Sequence, residues 1–304
     1  VGLMNNAGAI TDYIRARVDD PRLALHFLTT KDGKFYYEDS NGEFWRMYDF
    51  VGGFCLDTPE CEDDFYQSAL AFGRFQQMLS EFPAETLTET IPEFHNTPDR
   101  YRQLKESVAA DKMGRLEGVR AEVEFLLERE EMGAKLHNQR LAGILPLRVT
   151  HNDTKINNVL FDKDSGKALT VVDLDTVMPG LIGHDFGDAL RSAANTQAED
   201  CPDYDNISVN MDVVRIFTDG YLSVLAPSLT EMEIDTLALS AYVLTMEQTA
   251  RFLTDYLQGD VYFRTAYPLH NLVRTRSQLA LAKAIHAALP QMQKIVAESA
   301  EKYR

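Results

Sequence analysis

The stretch HNDTKINNVLF, residues 151–161, sets His151, Asp153, Lys155 and Asn158 within eight residues and then turns apolar. The spacing H-x-D-x-x-x-x-N suits phosphoryl transfer. That reaction needs a carboxylate to hold and deprotonate the attacking hydroxyl, and metal ions and a cation to neutralise a triphosphate. Asp153 is the candidate base. Asn158 lies at the far end of the loop, where its side-chain oxygen can hold magnesium, and Lys155 can reach the phosphoryl in transit. His151 is expected to brace the loop through backbone hydrogen bonds rather than to act as an acid or base.

A second metal-binding carboxylate is then required. NNVLFD and KALTVVDLD read as two strands joined at KDSG, a hairpin that returns Asp173 to the side of Asn158. Asp175 alternates with Asp173 along the strand and points to the opposite face. It reaches a metal or a sugar only if the chain bends there. Asp185, Phe186 and Gly187 spell the metal-binding signature of protein kinases, but they lie beyond TVMPGLIG and directly before a helical pattern. An Asp at such a place caps a helix. The expectation is therefore Asp173 as the metal ligand and Asp185 as a helix start that supports the loop.

The elements that must position these groups follow from periodicity. Residues 3–18 predict a helix. ALHFLTT, KFYYED and FWRMYDFV predict three strands joined at KDGK and DSNGE, because Asp-Gly and Asn-Gly tolerate the positive φ of hairpin turns. Residues 24–51 are thus expected to form an antiparallel meander with Trp45 packed inside it. Beyond Gly52-Gly53 the pattern is mainly helical, with helices over 65–82, 119–137, 186–195, 211–225, 231–258 and 269–288, and LPLRVTHND as a short strand running into the catalytic loop. Residues 97–118 read as surface helix and loop. The expected domains are a partial N-terminal lobe, 1–52, and a C-terminal catalytic and substrate-binding lobe, 53–304.

Composition narrows the classes. An apolar fraction of 45% with 10% aromatics supports a packed core. A net charge of -17 excludes wrapping of nucleic acid, which needs Lys and Arg against phosphates. No apolar run approaches a membrane span, and the first twenty residues show no secretory pattern. Cys55, Cys61 and Cys201, without a C-x-x-C, read as free thiols in a reducing cytoplasm. Oligomeric state is not encoded in these patterns.

HNDTKINNVLF, TVVDLD and HDFGDAL, in that order, resemble the aminoglycoside phosphotransferase and choline kinase superfamily. The resemblance implies an α+β, protein-kinase-like fold with two lobes and the use of ATP and Mg2+. It puts the family's base on Asp153, its metal ligands on Asn158 and Asp173, and its helix-start Asp on Asp185. FWRMYDFVGG resembles the family's hinge, so Met47, Tyr48, Asp49, Phe50 and Val51 are expected to hold adenine through their backbone. Within the superfamily, TKDGKFYYEDSNGEFWRMYDF, HNDTKINNVLFD and ARFLTDYLQGDVYF are most similar to N-acetylhexosamine 1-kinases, which implies a sugar acceptor phosphorylated at its anomeric hydroxyl.

Sugar sites use carboxylates, amides and Arg against hydroxyls, with an aromatic beneath the ring. Asp153, Asp175, Arg251, Asp255 and Tyr256 are the candidate sugar contacts. The plain alternative for the last three is a helix end capped by Gly259, with Tyr256 in the core. His270, Asn271 and Arg274 are weaker candidates. A complete family member carries a Gly-rich loop and a strand lysine ahead of the first helix, and neither is present here. N-terminal sequence is therefore expected to precede Val1, and the N-terminal lobe is expected to be truncated. Two alternatives stay open. One is a kinase of choline, homoserine, an aminoglycoside or another sugar; the other is a non-catalytic, pseudokinase-like binding protein.

Overall fold

A computed structural model describes residues 1–304. Helix α1, Gly2–Arg15, buries Ala7, Ile10 and Ile14. Two short strands follow, β1 at Tyr37–Glu38 and β2 at Phe44–Trp45, paired antiparallel across the Asn41-Gly42 turn. The expected meander is not formed in its expected order. Residues 26–28 pair with 47–49, through Leu28 N–H to Met47 C=O and Asp49 N–H to His26 C=O, and not with KFYYED. Two local effects draw the first two segments apart. The Thr30 hydroxyl captures Asp32 and the Lys34 N–H, closing a tight loop. Phe35 then packs its ring onto α1, where Gly8 leaves the space. Trp45 is exposed rather than packed, and its indole N–H reaches Asp39.

The rest of the chain is mainly helical. Helix α2, Glu62–Met78, opens with three acids in its first turn, where the helix dipole favours negative charge. Helix α3, Thr97–Ala110, is capped by Asn96. The span expected to be one helix over 119–137 is three: α4 at Arg120–Leu127, α5 at Glu130–Gly133 and α6 at Lys135–Leu141. Strand β3, Arg148–Thr150, enters the catalytic loop, and β4, Val159–Phe161, leaves it. As expected, β4 pairs antiparallel with β5, Ala168–Val171. The segment read as a plain loop contains β6, Met178–Gly180, which pairs with β3. This closes the base of the catalytic loop from the other side.

Helix α7, Ile182–Ala193, starts four residues earlier than expected. Helices α8, Met211–Leu225, and α9, Glu231–Gln258, match their apolar periodicity. Helix α9 has a Thr230–Glu233 capping box at its start and Gly259 in the left-handed region at its end. Helix α10, His270–Tyr303, continues through Pro290 because Met292, Ile295, Val296 and Ala300 still have core to bury against.

The core spans both regions. The N-terminal segment is stitched to β4 by the Phe54–Phe161 bridge, and Gly53 lies against the Phe161 carbonyl, where no side chain fits. Helices α7 and α9 cross within this core at close range. A Cβ on Gly187 would lie 2.6 Å from the Ser240 carbonyl carbon and oxygen. Gly187→Ala should therefore destabilise the protein by about 1–3 kcal/mol, as overpacking does, and a thermal melt should show a lower midpoint. An unchanged midpoint would contradict this close approach.

Candidate active site

The catalytic loop is held by one buried carboxylate. Asp185 sits in the first turn of α7, not at its cap, which is Leu181. Its Oδ2 accepts the His151 N–H at 2.8 Å and its Oδ1 accepts the Asn152 N–H at 2.8 Å. The Gln76 amide donates to Oδ2 from α2, and the Thr154 hydroxyl donates to the Asp185 carbonyl at 2.7 Å. Burial pushes the Asp185 pKa up, against the charge of His151 and the donors that pull it down. The other letters of the DFG are equally occupied. Phe186 is fully buried against Phe217 and Tyr221, and Gly187 makes the α9 contact.

His151 is also fully buried, edge-on to Phe72 and Phe75. Its Nε2–H donates to the Val172 carbonyl at 2.9 Å, which ties the loop to the residue before Asp173. A ring with no solvent access and this fixed bond is a brace. Asn152 adopts φ 64, and its side-chain amide donates to the Thr150 and Thr176 carbonyls. Asn tolerates this left-handed turn better than most residues. The turn is followed directly by Asp153.

Asp153 is half-buried at the loop's surface. The Lys155 ammonium lies 2.7 Å from its Oδ1, and the Asn158 amide N–H donates to its Oδ2 at 3.0 Å and to its carbonyl at 2.8 Å. Burial lowers the Lys155 pKa, but the hydrogen bond and charge of Asp153 outweigh it and leave the pKa raised. Asn158 spends its nitrogen on Asp153, so its Oδ1 stays available. Val172 N–H donates to the Asn158 carbonyl at 2.9 Å, which sets Asp173 next to Asn158 across the β4–β5 hairpin. Asp173 is exposed, in the left-handed region at φ 57, and its carboxylate has no hydrogen-bond or ion-pair partner. An amide oxygen and a free carboxylate suit a hard cation such as Mg2+, which keeps several waters and phosphate oxygens. No group of three ligating side chains exists that would form a closed metal cage.

Other candidates are placed differently. Asp175 is not on the strand. The chain turns at Asp173 into a short 3₁₀ segment, Leu174–Thr176, and Arg46 Nη1 lies 2.5 Å from Asp175 Oδ1, joining the N-terminal segment to this turn. Asp255 is almost fully buried. It accepts the N–H groups of Val261, Tyr262 and Phe263 and the Asn271 amide, which makes it the anchor of the 260–264 loop. Tyr256 is buried beneath the Arg115 guanidinium, 4.5 Å away. His270 pairs with Asp200. In the stretch expected to be a hinge, the Met47 carbonyl and Asp49 N–H are used by residues 26–28, and the Asp49 carboxylate by His26. The backbone groups of Tyr48 and Phe50 bond to nothing else in the chain and lie in an exposed stretch, with the Val51 side chain half-buried against the core.

A cavity of about 370 Å3 opens beside Asp153 and Lys155. Arg251 lines it, with its guanidinium 5.4–5.9 Å from the rings of Phe94, Phe263 and Tyr262. The cavity also contains groups that sequence spacing did not reveal: Phe94, His95 and Glu247, from distant parts of the chain. His95 Nδ1 is 2.9 Å from Glu247, and the Thr97 hydroxyl donates to the same carboxylate at 2.7 Å. No local motif marks them; a buried Glu in mid-helix is the one hint.

This fold is that of the phosphotransferases. The chain belongs to the phosphotransferase enzyme family, APH, which matches residues 9–209. Among solved structures it is similar to an aminoglycoside phosphotransferase from Alicyclobacillus acidocaldarius, at TM-score 0.66 and 13% identity, covering 97% of this chain and 84% of that one. It is also similar to a microcompartment-associated aminopropanol kinase, at TM-score 0.58 and 15% identity over 96% and 83% of the two chains. A choline/ethanolamine kinase family protein from Mesorhizobium loti gives TM-score 0.56 and 14% identity over 98% and 85%. These likenesses establish the kinase-like two-lobe α+β fold. No helix is long and apolar enough to cross a membrane.

Burial raises the Glu247 pKa, but His95, Thr97 and Arg251 outweigh it and hold it at about 2, below its ordinary 4.5. The folded value lies below the unfolded one, so the stabilisation is complete above pH 4.5 and is lost as pH falls toward about 2. Melting midpoints measured across that window should fall less steeply in Glu247→Gln than in the parent. Equal slopes would remove Glu247 from the acid response.

Proposed function

We propose that the protein transfers the γ-phosphoryl group of ATP to a small hydroxylated acceptor, and that this acceptor is an N-acetylhexosamine phosphorylated at its anomeric hydroxyl. One observation carries the phosphotransfer reading: Asp153, fixed by Asn158 and Lys155, opens onto a cavity of small-molecule size. The sugar rests on the likeness of three sequence segments to N-acetylhexosamine 1-kinases and on the polar, aromatic-edged lining around Arg251. The domain division at Gly52-Gly53 belongs to the same reading, with the hinge at 47–51 serving both lobes.

Each side chain has a defined task. Asp153 orients the acceptor hydroxyl and accepts its proton as the oxygen attacks. Lys155 places a positive charge beside the phosphoryl in transit. Arg251 donates to acceptor hydroxyls while the rings around it exclude water. Asn158 and Asp173 would hold Mg2+, which offsets the negative charge of the phosphates when bound. The free backbone groups of Tyr48 and Phe50 suit the edge of an adenine. His151 and Asp185 fix the loop and touch no reactant.

The test is ATP turnover with N-acetylglucosamine, N-acetylgalactosamine, choline, homoserine and kanamycin. Turnover of an N-acetylhexosamine supports the acceptor, and preference for another compound replaces it. Absence of turnover with all five favours the non-catalytic alternative. Asp153→Asn should lower kcat at least about a thousandfold, near the upper range of base catalysis, with the melting midpoint retained. Asp173→Asn should shift the magnesium dependence of turnover to higher concentration. Asp185→Asn should instead lower the melting midpoint, because it weakens the acceptor of two loop N–H groups. A magnesium shift in Asp185→Asn without one in Asp173→Asn would reverse the ligand assignment.

A further inference from the structure

The charges lining the Asp153 cavity do not balance locally. Its four carboxylates are each matched: Asp153 by Lys155, Asp188 and Glu199 by Arg191, and Glu247 by His95. Arg251, Arg264 and Arg274 line the same cavity and have no carboxylate partner. Other arginines without a partner acid, such as Arg15, Arg17 and Arg74, are scattered over the chain, whereas these three line one cavity.

The Arg274 guanidinium is held in place, and the backbone that carries Arg264 is fixed. Arg274 Nη1 donates to the Arg264 carbonyl at 3.1 Å and to Asn271 Oδ1 at 3.3 Å, and its guanidinium lies 5.4 Å from the Phe252 ring. Arg264 directly follows the segment pinned by Asp255, whose carboxylate accepts three successive backbone N–H groups. Asn271 bonds both Asp255 and Asp260, so one buried network fixes the loop and the Arg274 support together. This gives the buried Asp255 a function: it presents two arginines to the cavity.

We infer that Arg264 and Arg274 form an anion subsite in the acceptor cavity, so that the preferred acceptor carries a carboxylate, sulfate or phosphate group away from the hydroxyl that is phosphorylated. A guanidinium suits such oxyanions because its N–H donors match two oxygens at once. The subsite disfavours cationic acceptors and favours acidic sugars over neutral ones. This inference rests on the proposed acceptor cavity but not on turnover.

The experiment is calorimetric binding to the full chain without nucleotide, run beside ATP turnover. The probes are N-acetylglucosamine, its 6-sulfate, its 6-phosphate, glucuronate and choline. At least one acidic sugar should bind about tenfold more tightly than N-acetylglucosamine, with a preference that shrinks as salt is raised. The three anion types separate sulfate, phosphate and carboxylate as the matching group. Arg264→Gln should remove most of the preference for the acidic sugar over N-acetylglucosamine, and Arg274→Lys should keep part of it. Equal binding of neutral and acidic sugars, no binding of any acidic sugar, or a preference untouched by Arg264→Gln overturns the subsite. Binding preference without turnover leaves the subsite standing and removes the kinase reading instead.

Discussion

Asp185 places a carboxylate where water does not reach and supplies it with N–H donors from His151, Asn152 and Gln76. A buried charge without such donors costs several kcal/mol, so the donors and the acid depend on each other. Removing the carboxylate would leave two backbone N–H groups unpaired at the most consequential turn in the chain. Asn152 then reverses the backbone, and Asp153 emerges facing the cavity. Everything proposed for the chemistry follows from this constraint.

The same economy runs through the rest of the site. His151 joins the loop to Val172, Val172 joins Asn158, and Asp173 is the next residue along. Two hydrogen bonds and one peptide bond thus relate Asp153, the Asn158 amide oxygen and the free Asp173 carboxylate. Backbone-anchored geometry restricts rotamer freedom, which is what a site held ready for transfer needs. Strands β3 and β6 close the loop from below, and helices α2 and α7 close it from behind.

Charge is distributed with a similar separation of roles. Among the acids that line the cavity beside Asp153, each has a cationic or histidine partner. Farther along the cavity, arginines are left over. The 260–264 loop, tied to Asp255 and Asn271, brings Arg264 there, while α9 carries Arg251 and α10, which begins at His270, carries Arg274. The helical region therefore carries both the Asp153 loop and the arginine-lined wall of the cavity.

The sequence determined the catalytic loop, the β4–β5 hairpin and the long helices, because each is local. Spacing within eight residues, turn residues at KDSG and apolar periodicity are readable along the chain. The expectation of Asp173 rather than Asp185 as metal ligand rested on the hairpin and on the helical pattern that follows Asp185. Tertiary structure decided what local patterns do not encode. Asp255 and Tyr256 look like ligands until the 260–264 loop and Arg115 are seen to occupy them. Asp175 turns away because the backbone goes left-handed at Asp173, and Arg46 meets it there. Phe35 leaves the meander to pack on Gly8. His95 and Glu247 are 152 residues apart and form a pair only once α9 crosses the cavity wall. Long-range packing and the pairing of buried charges are properties of the assembled core, and no window of sequence contains them.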